Sequence, residues 1–446
     1  MTSRELALTV VRDVFPRDGR GRGAREAFDY RAERSELDVR DRAFAAELAY
    51  GSIKARRYLD WILAPFIGDR VTELPPTILE ILRLGTYQLT RMAVAGHAAV
   101  SETVALAKRH GHRGTAGLVN AVLRRVSELD DTARTPQPEN FISDDDYLGN
   151  LYSYPTWIVG GVRNAFGDDL VEPILRGMNE PSQTALRVNL TRATPEDVLE
   201  LLVSRGMTVQ RSELVPEVLL VFNGVAHGAL DDPEHRWELQ GEAAAVPVDL
   251  LAPQPDSRGV ELCSGRGNKT LGIVSRMMDR GLLEAIERDP RKVEQERARL
   301  DQAGIFSVVV REGDATVVSD GADDADFVLV DAPCSGLGIL GRQPEARWRK
   351  EPSDAARLAD LQAALLDAGA KRVRTGGRLV YSVCTFTPDE TYERVEAFLR
   401  EHPDFVRGPT PLRYERWRQS TGDLRFAPGI DGRDGFFVAV LERQAT

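Results

Sequence analysis

The sequence predicts three folded parts: an all-α bundle in front, a small α+β unit behind it, and a doubly wound, mostly parallel α/β core filling the second half. Three observations carry this. Apolar residues recur at helical spacing from Glu5 to about Val126. A strand, a helix and a strand follow one another within forty residues after Ala185. From Arg258 onward, short apolar strands alternate with helical segments.

The bundle is read from Ile78, Ile81, Leu82 and Tyr87, and from Val100, Val104 and Ala107, with breaks at Gly51, Pro75-Pro76, His97 and Gly111 to Gly114. It is assigned residues 1–130. Residues 131–150 form an acidic linker: between 127 and 147 stand Glu128, Asp130, Asp131, Glu139, Asp144, Asp145 and Asp146 without apolar periodicity. The α+β unit takes 151–240, with a strand over Ala185 to Leu190, a helix from Pro195 to Arg205 and a strand over Glu217 to Phe222. The core takes 241–446, with strands over Val260 to Cys263, Leu282 to Glu287, Ser307 to Arg311, Phe327 to Asp331 and Leu379 to Cys384.

Composition narrows the function classes. At 446 residues with 42% hydrophobic and 28% charged content, each part can bury its own core, so wholesale disorder is excluded. Arg4, Glu5, Arg12 and Asp13 interrupt the start, and no apolar run approaches the length of a membrane span, which predicts a cytoplasmic protein without a signal peptide. Residues 1–126 hold 21 Lys+Arg against 15 Asp+Glu, or +6, leaving 37 against 54, or −17, for the rest of a chain whose net charge is −11. A basic front on an acidic body fits a nucleic-acid partner, although solvated helix faces give the same excess. The three cysteines, Cys263, Cys334 and Cys384, form neither a disulfide framework nor a CxxC motif, and no metal is expected.

The first core strand runs into Cys263-Ser264-Gly265-Arg266-Gly267-Asn268-Lys269-Thr270 and then a helix. Glycines there let a ligand approach the backbone, and a helix N-terminus favours negative groups. A P-loop would need glycine at Cys263 and Asn268, and a dinucleotide fingerprint would need one at Thr270, so neither applies. A bare strand-to-helix turn is the bland alternative. Against it stand Glu287 after the second strand, Asp314 past the third and Asp331 after the fourth, since those strand ends line one crevice. Together they outline a site for adenosine bearing a small charged group.

Asp331-Ala332-Pro333-Cys334 ends the fourth strand and Tyr381-Ser382-Val383-Cys384 the fifth. An isolated cysteine is usually a small core residue. Two at the same end of strands flanking one crevice, in a chain with three, point to chemistry, whereas Cys263 in the loop is assigned to packing.

These segments, with Arg342-Gln343-Pro344-Glu345-Ala346-Arg347-Trp348 and Tyr381 to Glu390, resemble the S-adenosylmethionine-dependent RNA cytosine-5 methyltransferases of the NOL-NOP-Sun family. The front, ending in Val119-Asn120-Ala121-Val122-Leu123-Arg124-Arg125, resembles the NusB-like RNA-binding domain. Leu186-Arg187-Val188-Asn189 and Asp434-Gly435-Phe436-Phe437 fit the bacterial RsmB/Fmu/Sun branch, which modifies 16S ribosomal RNA. The resemblance implies a Rossmann-like class I methyltransferase core preceded by an RRM- or ferredoxin-like unit. It implies S-adenosylmethionine as cofactor, held by Cys263, Ser264, Gly265, Arg266, Gly267, Asn268, Lys269, Glu287, Asp314 and Asp331. It implies Cys384 as nucleophile, Cys334 assisting release, Asp331 on the cytosine edge and Lys269 near the reacting groups. RNA contacts are expected from Arg124, Arg125, Arg187, Arg342 and Arg347, with Arg349 and Lys350 extending a basic rim. The partner is 16S ribosomal RNA or a small-subunit assembly intermediate, and the chain is expected to be a monomer.

A pair of cysteines suits this reaction because cytosine carbon 5 is a poor nucleophile until a thiolate adds to carbon 6. The chain departs from the family pattern at Arg266 and Asn268, where the loop usually has proline and a second glycine. It departs again at Gln240-Gly241-Glu242-Ala243, where Gln-Asp-x-Ser is usual, and at Thr391 in Pro388-Asp389-Glu390-Thr391, where asparagine is usual. Two competing readings follow: an RNA-binding assembly factor on the same fold that holds no cofactor, and a DNA cytosine methyltransferase, which would attack from Cys334.

Overall fold

A computed structural model describes residues 1–18, 21–68, 73–222, 229–317 and 324–445, which fall into two compact units. The first comprises Met1–Asn179 together with Arg342–Lys350. Its described helices are α1 (Ser3–Val14), α2 (Ala24–Ala32), α3 (Val39–Lys54), α4 (Arg56–Ile67), α5 (Pro76–Arg91), α6 (Gly96–His110), α7 (Arg113–Ser127), α8 (Asp144–Leu151), α9 (Thr156–Phe166) and α10 (Asp168–Gly177). A capping box starts α1: the Glu5 amide donates to Thr2 Oγ1 at 3.2 Å and the Thr2 amide to Glu5 Oε2 at 3.1 Å. Proline at the first turn starts α5, which is buried nearly all round and forms the axis of the bundle. Gly51 lets α3 approach it, since a Cβ there would lie 2.0 Å from the Tyr87 ring.

Two features of this unit differ from the sequence reading. The acidic stretch is not all linker, because Asp144, Asp145 and Asp146 occupy the first turn of α8, where the helix dipole favours them. Ser143 Oγ caps that helix, accepting from the Asp146 amide at 3.1 Å, and Arg163 pairs with Asp145 at 2.7 Å. The compact unit runs on to Asn179 and so contains α9 and α10.

Arg342–Lys350 is the second difference, since residues expected on a basic rim are built into this unit. The Ala24 amide donates to Glu345 Oε1 at 3.1 Å, and Trp348 Nε1 donates to the Ile53 carbonyl at 2.7 Å. Arg349 Nη2 donates to the carbonyls of Val14 and Arg22. Arg347 is 0% exposed, with its guanidinium 3.9 Å from the centre of the Tyr154 ring. Arg347 Nη1 donates to the Ser153 carbonyl at 3.1 Å and Asn179 Oδ1 at 3.0 Å. Its expected role in touching RNA is therefore corrected: burial and internal hydrogen bonds occupy it.

The second unit comprises Glu180–Gly341 and Glu351–Thr446. It opens with β1 (Thr184–Val188), α11 (Pro195–Ser204), β2 (Val209–Arg211), β3 (Val218–Val221) and β4 (Trp237–Leu239), an antiparallel sheet in the order β2-β3-β1-β4. The core follows as α12 (Glu242–Leu251), β5 (Arg258–Leu262), α13 (Asn268–Arg276), β6 (Leu282–Glu287), α14 (Pro290–Ala303), β7 (Val308–Glu312) and β8 (Ala325–Asp331). After the short α15 (Ala346–Arg349) of the first unit come α16 (Ser353–Ala370), β9 (Val373–Val383), α17 (Tyr392–Glu401), β10 (Phe405–Arg407), β11 (Leu424–Phe426) and β12 (Phe436–Arg443).

The core sheet runs β10-β12-β9-β8-β5-β6-β7, with β11 also on β12. Strands β5 to β9 are parallel, as their apolar runs predict. The antiparallel β10, β11 and β12 were not anticipated. The order reverses between β5 and β8, the switch point outside whose C-terminal strand ends α/β sheets of this kind bind ligands.

Candidate active site

The loop between β5 and α13 has an unusual backbone. Cys263, Gly265 and Gly267 have φ of 63°, 68° and 79°. For a non-glycine such as Cys263 this is a strained conformation, of the kind concentrated at functional loops. The loop is held from beneath. The Gly265 amide donates to Glu287 Oε2 at 3.0 Å, the Ser264 amide to the Ile286 carbonyl at 3.1 Å, and Ser264 Oγ to Glu296 Oε2 at 2.6 Å. Outside it, Arg299 Nη1 donates to the Arg266 carbonyl and to Asn268 Oδ1, both at 2.7 Å.

Beneath the loop, Thr270 Oγ1 lies 2.7 Å from Glu261 Oε2 and 2.6 Å from Glu296 Oε1. One hydroxyl has one proton, so one of the two acids must supply the second hydrogen bond. Burial and the neighbouring Glu296 push the Glu261 carboxyl well up, and burial also raises Glu296.

Two of the strand-end acids touch this segment: Glu287 at the Gly265 amide and Asp331 at Lys269. Burial, then Glu287 and Asp331, push the Cys263 thiol up to about 12. Glu287 is buried and also accepts from the Asp289 amide at 2.9 Å. Asp314 is exposed and accepts from Thr316 Oγ1 at 2.7 Å.

Asp331 and the two cysteines share the ends of β8 and β9. Lys269 Nζ donates to Asp331 Oδ2 at 2.6 Å, Ser382 Oγ donates to Asp331 Oδ1 at 2.7 Å, and Phe436 places its ring centre 5.5 Å from the ammonium. Cys334 Sγ lies 3.3 Å from Cys384 Sγ. The hydrogen bond to Cys384 and then burial hold the Cys334 thiol well above the usual range, so Cys334 keeps its proton. The sequence therefore identified residues that do come together: Cys334 with Cys384, and Lys269 with Asp331.

Arg187 does not serve as expected. It is 2% exposed, burial pushes its guanidinium down to about 10, and Nη1 donates to the Asn268 carbonyl at 2.7 Å and to Gln240 Oε1. It props the loop from behind and is corrected as an RNA contact. Glu242, in the segment that departs from the usual Gln-Asp-x-Ser, is tied to Ser212 and Arg433. Arg124, Arg125 and Arg342 are exposed. Sequence reasoning gave no role to Ser335, Gln362, Thr385, Glu390 or Glu296, whose functions rest on loops meeting in space. Among the described residues no group of three or more His, Cys, Asp or Glu could hold a metal ion. No described helix is long and apolar enough to cross a membrane.

Comparison with known proteins adds to this geometry. Residues 248–442 match the model of 16S rRNA methyltransferase RsmB/F, residues 1–128 that of the NusB family, and residues 154–226 that of the RsmF/B-like ferredoxin-like domain. A Synechocystis protein named "Probable ribosomal RNA small subunit methyltransferase B" is 32% identical, covering 99% of this chain and 100% of its own. The crystal structure of PH0851 superposes with a TM-score of 0.83 at 23% identity, over 99% of each chain. That of NSun6 from Pyrococcus horikoshii with SFG gives 0.59 at 20% identity, over 66% of this chain and 100% of that one.

Proposed function

Because this chain belongs to the family of the ribosomal RNA small subunit methyltransferases B, we propose that it methylates carbon 5 of a cytosine in 16S ribosomal RNA through a covalent cysteine adduct, with S-adenosylmethionine as donor. The observation that carries this reading is the pair of sulfurs, 3.3 Å apart, at neighbouring strand ends that also present Asp331 and Lys269.

The residues present fit the cofactor. The positive φ of Gly265 and Gly267 brings the loop backbone close to a ligand, and Glu287 at the end of β6 suits ribose hydroxyls. Asp314 past β7 suits an adenine amino group. The relative solved with SFG, an S-adenosylmethionine analogue, supports the assignment. When bound, S-adenosylmethionine supplies an electrophilic methyl group on sulfonium.

Within the chain, Cys384 Sγ adds to carbon 6 of the base, which makes carbon 5 electron-rich. The Cys334 thiol hydrogen-bonds the attacking sulfur and spreads its charge. Asp331, oriented by Lys269 and Ser382, accepts from the cytosine amino group, and the Lys269 ammonium stabilises charge developing on the ring. After methyl transfer, the carbon 5 proton passes to water as its electron pair re-forms the carbon 5–carbon 6 double bond and expels Cys384 as a thiolate. Cys334 assists that departure by donating a hydrogen bond to the leaving sulfur. The target base must leave its stack to be attacked, which favours a single-stranded RNA segment. Arg124, Arg125 and Arg342 are the exposed arginines assigned to its phosphates.

The test compares wild type, Cys334→Ala and Cys384→Ala with S-adenosylmethionine and 16S ribosomal RNA on a denaturing gel that preserves adducts. Cys334→Ala is expected to accumulate a protein-RNA adduct, and Cys384→Ala to yield neither adduct nor methylated RNA. If both variants methylate like wild type, the cysteine mechanism is wrong. Absence of saturable S-adenosylmethionine binding in equilibrium dialysis would favour the assembly-factor reading instead.

A further inference from the structure

Strand pairing alone does not bring the two sulfurs together. The register of β8 on β9 ends at Asp331 opposite Ser382, and the last backbone bond between them is the Ala332 amide to the Ser382 carbonyl at 3.0 Å. Each cysteine lies two residues further on, in a loop. What joins those loops is Glu390, which is 0% exposed and ends the short turn Pro388–Glu390.

Its carboxylate receives donors from both sides. Oε1 accepts from the Ser335 amide at 2.8 Å and from Gln362 Nε2 at 3.1 Å. Oε2 accepts from Ser335 Oγ and from Thr387 Oγ1 at 2.7 Å. Thr385 Oγ1 lies 2.7 Å from Ser335 Oγ, so when Ser335 donates to Glu390, Thr385 donates to Ser335. Ser335 follows Cys334 and Thr385 follows Cys384. Gln362 Nε2 also donates to the Pro333 carbonyl at 2.9 Å, so both chain neighbours of Cys334 are tied to one network. Tyr381, near the end of β9, donates its hydroxyl to the Glu390 carbonyl at 2.7 Å.

We propose that Glu390 is a positioning residue: its buried carboxylate locks the loop after β8 onto the loop after β9 and thereby sets Cys334 against Cys384. Its hydrogen-bond partners here are all neutral donors, and a glutamine would turn an NH2 group toward another donor. The negative charge also contributes to holding the Cys334 thiol high, which keeps it protonated beside the attacking sulfur. The catalytic consequence rests on the cysteine chemistry proposed above, whereas the positioning itself is readable from the thiols without RNA.

The test uses the full chain as wild type, Glu390→Gln and Glu390→Asp, with folding checked by circular dichroism. Hydrogen peroxide oxidises one thiol to a sulfenic acid, releasing water, and the second thiol displaces hydroxide from it, giving a disulfide and a second water. Peptide mapping by mass spectrometry then times the Cys334–Cys384 link, with Cys263 on a separate peptide. Glu390→Gln, which keeps reach but loses charge, is expected to slow the link about 10-fold and lower the pH at which Cys334 is alkylated. Glu390→Asp, which keeps charge but loses reach, is expected to slow the link and leave that pH near the wild-type value. In RNA methylation kcat is expected to fall about 10- to 100-fold in both, with the KM for S-adenosylmethionine within about twofold. A folded Glu390→Gln that links and alkylates like wild type overturns the proposal, whether or not wild type methylates RNA. Should neither variant fold, Ser335→Ala removes one tie and keeps the carboxylate; linking at the wild-type rate would be equally fatal.

Discussion

Replacing Arg347 by methionine keeps most of its aliphatic volume and removes its polar contacts, so it isolates what the guanidinium contributes to the first unit. The Ser153 carbonyl, on a residue 3% exposed, loses the donor at 3.1 Å; leaving such a group unpaired costs about 1–3 kcal/mol. Asn179 Oδ1 is not orphaned, because the Tyr154 hydroxyl still donates to it at 3.1 Å. The guanidinium at 3.9 Å from the Tyr154 ring centre contributes up to about 2 kcal/mol in a desolvated setting. Burial lowers the Arg347 pKa, so removing the cation recovers part of this. A net loss of about 2–3 kcal/mol corresponds to a rise of about 30- to 150-fold in opening of segment 342–350. Native-state trypsin cleavage after Arg349 or Lys350 reads that opening directly when reclosing is fast. The expected result is cleavage faster by that factor, with the far-ultraviolet spectrum unchanged. Cleavage within about threefold of wild type would refute the reasoning, since it would mean the segment is held without Arg347.

Three further outcomes follow from the site. Asp331→Asn leaves Lys269 without its carboxylate and is expected to lower single-turnover methylation about 100-fold, with S-adenosylmethionine binding by dialysis changed far less. Arg299→Ala removes both outer ties to the loop and is expected to weaken S-adenosylmethionine about 5- to 10-fold by calorimetry; an unchanged Kd would mean the loop holds its shape without them. The raised carboxyl of Glu261 gives a signed pH dependence: its contribution is fully present below the unfolded value of 4.5 and is lost as pH rises toward its folded value. Glu261→Gln should therefore gain Tm relative to wild type between pH 5 and pH 8, and a difference flat with pH would contradict the buried-acid assignment.

The parallel strands were legible because an apolar run of five or six residues between helical segments is a local signal. The acids and cysteines at their ends were legible for the same reason, since position along a strand fixes which end of the sheet a residue reaches. The antiparallel β10, β11 and β12 were not anticipated, because two of them are only three residues long and pair across long loops. Arg187 and Arg347 were read as surface cations because burial of an arginine depends on partners distant in sequence. Asn268 in one case, and Ser153, Tyr154 and Asn179 in the other, carry no sign of that use. The run Asp144 to Asp146 was read by charge alone, whereas Ser143 before it is a helix start. Glu390 stood within a recognised segment, yet its function depends on Ser335 and Gln362, which come from two other places in the chain.

The first unit incorporates residues 342–350, and this imposes an order on biosynthesis. Its helices through Asn179 leave the ribosome first, but the segment that carries Arg347 and Trp348 emerges only after another 171 residues (350 − 179). At about 5–20 residues per second, that is a wait of about 9–34 s during which Ser153, Tyr154 and Ile53 lack their final partners. The N-terminal unit is thus completed by the middle of the domain that follows it. A chain interrupted anywhere before residue 350 leaves both halves unfinished.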